Sequence, residues 1–349
     1  MPKDSLKPST KLQLAAHRGN IPLTVIFELT RRCNLNCRHC YIPSSERKLK
    51  DISFGGIKKI LRSTARAGAM YAVFTGGELF LRDDIFDIIG CAKKLAFDVR
   101  LFTNGVLVDS STASKVSAAG VSAVEISIYG DEAAHDYITR RRGSFLAATK
   151  AVDEFLRSGV RVTVKAPLMK SNYSCLEFVQ KFAASRAISC RFDATIAPCD
   201  DGSASGLGLR LSDGELRKVY RRLGAGVPSE YCGPRARSYG ARGERLVECS
   251  AARAMAAVSS DGELYPCPQM RISAGNLLKT DFASLWRGKV FEGLRRARLG
   301  KKSACFSCAH LAYCQRCPGL ALVEHGSLLT PPAEACRLSA VRRFVAENV

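Results

Sequence analysis

From Leu23 to about Ile196, short runs of β-branched and aromatic residues alternate with longer runs whose apolar positions recur every three or four residues. This is the pattern of βα units building a parallel sheet. Six strands are predicted, over Thr24–Thr30, Tyr71–Thr75, Asp98–Thr103, Val121–Ile128, Val160–Pro167 and Ser189–Ile196. Helix signals fall between them. Ser53 is placed to cap a helix carrying Ile57, Ile60, Leu61 and Ala65 on one face and ending at Gly68, and Ser174 with Glu177 reads as a capping box.

Alternation inside the strands says more than their existence. Val124, Ile126 and Ile128 share one face and Glu125 and Ser127 the other; Val160, Val162 and Val164 oppose Arg161, Thr163 and Lys165; Cys190, Phe192 and Ala194 oppose Arg191, Asp193 and Thr195. A doubly wound sheet buries both faces under helices. A polar face on successive parallel strands therefore predicts a curved sheet whose concave side holds water or a polar ligand, an edge or partly exposed sheet being the alternative. Asp200–Gly208 reads as a loop and Ser212–Leu223 as an exposed helix. From Tyr231 to Val349 long periodic runs are few and eight of the fifteen cysteines are found, as in a small domain stapled by metal.

Composition narrows the function. The 349 residues are 46% hydrophobic, enough for a sizeable core, and no run of eighteen apolar residues or secretory signal occurs, so a cytoplasmic protein is expected. In a long intracellular chain cysteine wealth points to metal ligation or redox chemistry rather than disulfides. A formal charge of +21 favours an acidic partner, such as a peptide or anionic cofactor, and leaves nucleic acid as an alternative.

Cys33, Cys37 and Cys40 follow the first strand as CNLNCRHC. Three thiolates in so short a loop can wrap one face of a cubane iron–sulfur cluster and leave one iron open; a Cys₃His zinc site using His39 is the competing reading. This CxxxCxxC loop, followed by the aromatic Tyr41, resembles that of the radical S-adenosylmethionine (SAM) superfamily. Thr75, Gly76, Gly77 and Glu78 at the end of the second strand match its GGE motif, with Leu79 where a proline often follows. The resemblance implies a partial (β/α)6 TIM-like barrel and a [4Fe–4S] cluster whose open iron is chelated by SAM. It also implies SAM contacts from Gly76, Gly77 and Glu78, from Asn104 in the Thr103–Gly105 turn, and from Glu125 and Ser127. Lys165 is either a further contact or an ion-pair partner of Asp193 or Glu125.

Toward the C-terminus, Cys249, Cys267, Cys305, Cys308, Cys314, Cys317 and Cys336 resemble the seven-cysteine SPASM domain, which binds auxiliary [4Fe–4S] clusters. One spacing departs, with two residues between Cys314 and Cys317 where three are usual. The correspondence assigns Cys249, Cys267 and Cys317 to one auxiliary cluster and Cys305, Cys308, Cys314 and Cys336 to the other. Cys232 is the candidate fourth ligand of the first set, an open iron being the alternative. Cys91, Cys175 and Cys190 read as small core residues, and Cys199 as a loop thiol or a group at the substrate mouth.

The layout expected is an N-terminal extension (1–22), a radical SAM barrel (23–205), a linker with a helix (206–230) and an auxiliary-cluster domain (231–349). The activity implied is reductive cleavage of SAM and hydrogen abstraction from a substrate, with Asp193 as candidate base. The substrate implied is a ribosomally made peptide or small protein. A flavodoxin- or ferredoxin-type donor would supply electrons, and a separate peptide-recognition protein would present the substrate, since about twenty residues before the first strand cannot build a winged helix. Haem-biosynthetic and sulfatase-maturing members share this layout. A basic metal protein that binds nucleic acid explains the charge and the CxxC pairs, but not a GGE turn behind a cysteine loop.

Overall fold

The computed structural model describes residues 8–48, 50–224, 249–300 and 302–348. All six expected strands form: β1 (Thr24–Thr30), β2 (Tyr71–Gly76), β3 (Asp98–Thr103), β4 (Ala123–Ser127), β5 (Val162–Pro167) and β6 (Ser189–Asp193). They lie parallel in the order β6-β5-β4-β3-β2-β1, joined by crossovers that contain helices. Val99, Leu101, Val124, Ile126 and Val164 are wholly buried, and Ile60, Ile88, Ala151 and Phe155 from the crossover helices join them in one core. Each large side chain among them contributes about 1.5–3 kcal/mol on being withdrawn from water.

Three strands are shorter than alternation predicts. Val121 and Val160 donate their N–H groups to Val116 and Phe155, closing the C-terminal turns of the preceding helices, so β4 and β5 begin after them. β6 stops at Asp193, whose carboxylate accepts from the Thr195 N–H and ends the ladder. Ser53 caps the Phe54–Arg66 helix as expected, accepting from the Gly56 N–H. The Ser174 capping box does not form. A 3₁₀ turn, Tyr173–Cys175, leads into the Leu176–Ala184 helix, Glu177 pairs with Lys181, and Asn172 holds the turn by accepting from Met169 and donating to Tyr129 and Pro167. The helix expected to be exposed, Asp213–Arg222, buries Leu216, Val219 and Tyr220 against Leu338, Val341 and Val345 of the Ala333–Glu347 helix.

Beyond β1 the sheet continues with strands from the cysteine-rich end. β7 (Met255–Val258) pairs parallel with β1, Val25 opposite Ala256 and Phe27 opposite Val258, and β8 (Leu264–Tyr265) returns antiparallel to it. The intervening turn places Gly262 at φ +94°, a left-handed conformation that glycine adopts without strain. Ahead of β1, the Pro8–Gly19 helix packs Ala16 with Leu23 and Ala254. Among the described residues β6 and β8 are the outer strands of the sheet, β8 extended only by the backbone bonds of Leu264 with Ala274 and Gly275, so the barrel is partial. Among those residues no helix is long and apolar enough to cross a membrane.

Candidate active site

Parallel strands deliver their loops to one end of the sheet, and there the β1 and β2 loops interlock. The Gly77 N–H donates to Thr30 O at 2.7 Å and the Glu78 N–H to Arg32 O at 2.8 Å, pinning the chain just ahead of Cys33. A Cβ on Gly76 would stand 2.2 Å from Thr30 O, and one on Gly77 2.1 Å from Arg32 O. Both residues must be glycine for the loops to approach so closely, quite apart from any ligand. From the other side Arg38 and Asn36 donate their N–H groups to Ile138 and Thr139, and the Arg47 guanidinium donates to Leu35 O.

Within this frame Cys33, Cys37 and Cys40 line one cavity together with Gly76, Gly77 and Asn104, and with Glu125, Ser127 and Lys165 from β4 and β5. Its volume is about 230 Å³, against the ~15 Å³ that one water needs, so it is a ligand-sized site. Lys165 forms an ion pair with Glu125, not with Asp193, and its ammonium lies 4.0 Å from the centre of the Phe102 ring. Asn104 donates to Asn34 Oδ1 at 2.7 Å, tying the third loop to the cysteine loop.

Two candidates stand off this wall. Glu78 is buried, and its carboxylate is taken up by Thr103 Oγ1 and by the N–H groups of Asn104 and Phe80. It braces the turn behind the cavity, and burial raises its pKa. Asp193 lies outside the cavity lining, on the side of Cys317.

Burial pushes the Cys37 thiol up to about 12, with Cys40 and Cys33 adding to the shift. Cys33 is raised too, first by burial. Cys33 and Cys37, half-buried thiols whose ionisation is opposed first by burial, suit a cationic core that compensates their charge, as ligation by thiolate requires. Among the described residues no three His, Cys, Asp or Glu side chains converge on a point, as a single zinc ion demands. All three cysteines line the one cavity, while burial lowers His39 to about 4 and leaves its ring against Tyr129.

The described cysteines from Cys249 onward fall into two neighbourhoods. Cys267, pushed up to about 12 by burial, feels the charges of Cys249 and Cys317. Cys317 caps the Pro318–His325 helix, its sulfur accepting from the Leu320 N–H at 3.4 Å. Separately, Cys336 feels Cys314, Cys305 and Cys308, and is raised to about 11 by burial first. Cys232 lies outside the described residues. Cys199 is buried behind the first loop, its thiol 3.5 Å from Cys40 O.

Sequence reasoning missed a buried charged group beside the cavity. Arg271 forks onto Glu28 with both contacts at 2.7 Å and reaches Asp200 Oδ2 at 2.7 Å, while the Tyr41 hydroxyl donates to Glu28 Oε1 at 3.3 Å. A lone glutamate inside TVIFELT was the visible signal; its partner, 243 residues away, was not.

Residues 27–183 match the family model of the radical SAM superfamily, and residues 249–318 that of SPASM, an iron–sulfur cluster-binding domain. The mycofactocin maturase MftC of Mycolicibacterium smegmatis is 27% identical over 340 residues, covering 89% of this chain and 82% of its own. The pre-heme d1 synthase of Dinoroseobacter shibae is 27% identical over 339 residues, covering 85% and 81%. Among solved structures, Streptococcus suis SuiB bound to precursor peptide SuiA superposes with a TM-score of 0.70 at 17% identity, covering 94% of this chain and 80% of SuiB.

Proposed function

Because the chain belongs to the radical SAM superfamily and carries a SPASM domain, we propose that it matures a ribosomally made peptide by hydrogen abstraction at the cavity beside Cys33, Cys37 and Cys40. One observation carries the site assignment: three thiols, the Gly76–Gly77 turn and the Glu125–Lys165 pair share a single cavity at one end of a parallel sheet. A cluster held there would supply, with SAM and one electron from a reduced protein donor, the radical chemistry that abstracts hydrogen from a substrate.

The chain's own residues divide the remaining work. Cys33, Cys37 and Cys40 hold the cluster on one wall. Backbone groups of Gly76 and Gly77, with Asn104, meet the amino-acid end of SAM, and Glu125, Ser127 and Lys165 meet its polar groups from the strands. Cys249, Cys267 and Cys317, with Cys232, hold one auxiliary cluster; Cys305, Cys308, Cys314 and Cys336 hold the other. A flavodoxin- or ferredoxin-type protein donates the electron. The formal charge of +21 suits an acidic leader segment on the substrate, presented by a separate recognition protein. Similarity to MftC over 89% of the chain supports a peptide substrate. The equal identity to pre-heme d1 synthase makes a tetrapyrrole, also polyanionic, the second reading.

Anaerobically reconstituted protein tests both layers. Wild type is expected to hold about twelve irons and the Cys33→Ala/Cys37→Ala/Cys40→Ala variant about eight, with 5′-deoxyadenosine formation under dithionite lost in the variant. Stoichiometric zinc, or cleavage that survives the triple substitution, refutes the site. An acidic precursor peptide encoded beside the gene should raise 5′-deoxyadenosine formation above the basal rate; stimulation by a tetrapyrrole carboxylate alone transfers the assignment to the second reading.

A further inference from the structure

The buried charges around Arg271 join two parts of the molecule that the cysteine motifs treat separately. Arg271 lies four residues past Cys267, on the hairpin closed by Met270 N–H to Cys267 O at 3.1 Å. Its guanidinium spans to Glu28 on β1, five residues ahead of Cys33, and to Asp200 beyond β6. Those two acids in turn hold Tyr41, the residue after Cys40. Glu28 accepts from its hydroxyl, and the Asp200 N–H donates to Tyr41 O at 2.9 Å. Tyr41 lines the cavity.

We propose that Arg271 is a positioning residue that couples the hairpin carrying Cys267 to the loop carrying Cys40, so that the auxiliary side of the molecule holds the first cluster's site in shape. This rests on the assignment of Cys33, Cys37 and Cys40 as cluster ligands. Two features make the tie directional. A guanidinium that makes paired bonds to one carboxylate fixes its partner's orientation as well as its distance, which an ammonium does not. And one cation serves Glu28, which is buried, and Asp200, which is largely so, and either acid that swung away would leave its own charge without that cation. The Cys40–Tyr41 turn is gripped through both side chain and backbone, and any displacement of the Cys267 hairpin is passed to it through groups already in hydrogen-bond contact.

The test uses the reconstituted holoenzyme and the variants Arg271→Lys, Tyr41→Phe and their double. Readouts are iron content, SAM affinity by equilibrium dialysis, and the electron paramagnetic resonance spectrum of the reduced first cluster with and without SAM. The spectrum of the triple cysteine variant is subtracted to remove auxiliary signals. Arg271→Lys is expected to keep its iron, weaken SAM binding about tenfold, the usual scale for loss of a group supporting metal ligands, and alter the SAM-induced spectral change. Tyr41→Phe should show a smaller effect of the same kind, and the double variant no more than Arg271→Lys alone, because one chain of contacts is being cut twice.

SAM affinity and spectrum unchanged in Arg271→Lys overturn the proposal, as does loss of auxiliary iron with an unchanged first cluster, which would confine Arg271 to holding its own hairpin. Should Arg271→Lys fail to fold, Tyr41→Phe decides alone, since it removes one hydroxyl, and an unaltered response there overturns the coupling. If wild type itself shows no SAM-induced change, the ligand assignment falls, an outcome distinct from a responsive wild type with indifferent variants.

Discussion

From β1 to β5 every strand contributes side chains that are wholly buried, whereas from Lys302 to Gln315 no side chain is buried. The second stretch carries Cys305, Cys308 and Cys314, and the groups that reach it include two arginines and Ser339. Arg343 donates to Ala309 O at 3.2 Å and Arg342 to Tyr313 O at 3.4 Å. Just past it, Arg316 donates to Leu328 O and Thr330 O. Such bonds orient a chain but withdraw little apolar surface from water, and a segment without a core needs ligation to fold. The strands are held by hydrophobic burial and, under the proposed ligation, the cysteine segment by its metal, so the two regions should fail under different insults.

The largest contrast should follow loss of ligation. In Cys305→Ala holoenzyme, amide exchange over Lys302–Cys317 is expected to accelerate on the order of a hundredfold while β2, β3 and β4 change by less than about twofold. Exchange monitored by mass spectrometry reads both regions at once. Acceleration spread evenly over the chain would show that the sheet also depends on the auxiliary site, and the contrast would collapse.

Truncating one side chain in each region sharpens the same point from the opposite direction. Leu101 is wholly buried in β3, so Leu101→Ala should cost about 2–5 kcal/mol in urea unfolding. Phe306, at 40% exposure, is a large apolar side chain with little burial to lose, and Phe306→Ala should fall within about 0.5 kcal/mol. Equal costs would mean that the Cys305–Cys308 turn packs against something other than water.

The same division decides what could be read from the chain alone. Runs of β-branched and aromatic residues placed β1 to β6, and period-two alternation the polar faces of β4 and β5, because burial of one face imposes that period on local sequence. The cysteine groupings were legible through spacing, which correspondence with a family turned into two sets that the fold brings into separate neighbourhoods. β7 and β8 were passed over although Asp261–Gly262 between apolar runs is a hairpin signal. The motif located Glu78 along the chain but not its protein partners, because its carboxylate is held by Thr103 and Asn104, which only the assembled sheet brings near. The Glu28–Arg271 pair was illegible for the same reason at greater range.

The smallest effect belongs to a histidine inside the well-packed region. His135 is buried, with its ring stacked on Tyr129 and Nδ1 accepting from the Tyr129 N–H, so the neutral ring carries its proton on Nε2. Burial lowers its pKa from 6.5 to about 4, with Asp136 opposing the shift. Above pH 6.5 both folded and unfolded chains hold it neutral and it adds no pH dependence. As pH falls from 6.5 toward 4 the unfolded chain gains a proton that the folded chain refuses, and stability drops by at most about 1.4 kcal/mol per pH unit. Between pH 7 and 5.5 the wild type should therefore lose about 1 kcal/mol more than His135→Gln, whose amide oxygen can still accept from Tyr129. The similarly lowered His39 is present in both proteins and cancels in the comparison. Parallel losses in the two proteins would place the acid sensitivity at the cysteine loops instead of the barrel, reversing which of the two regions yields first as pH falls.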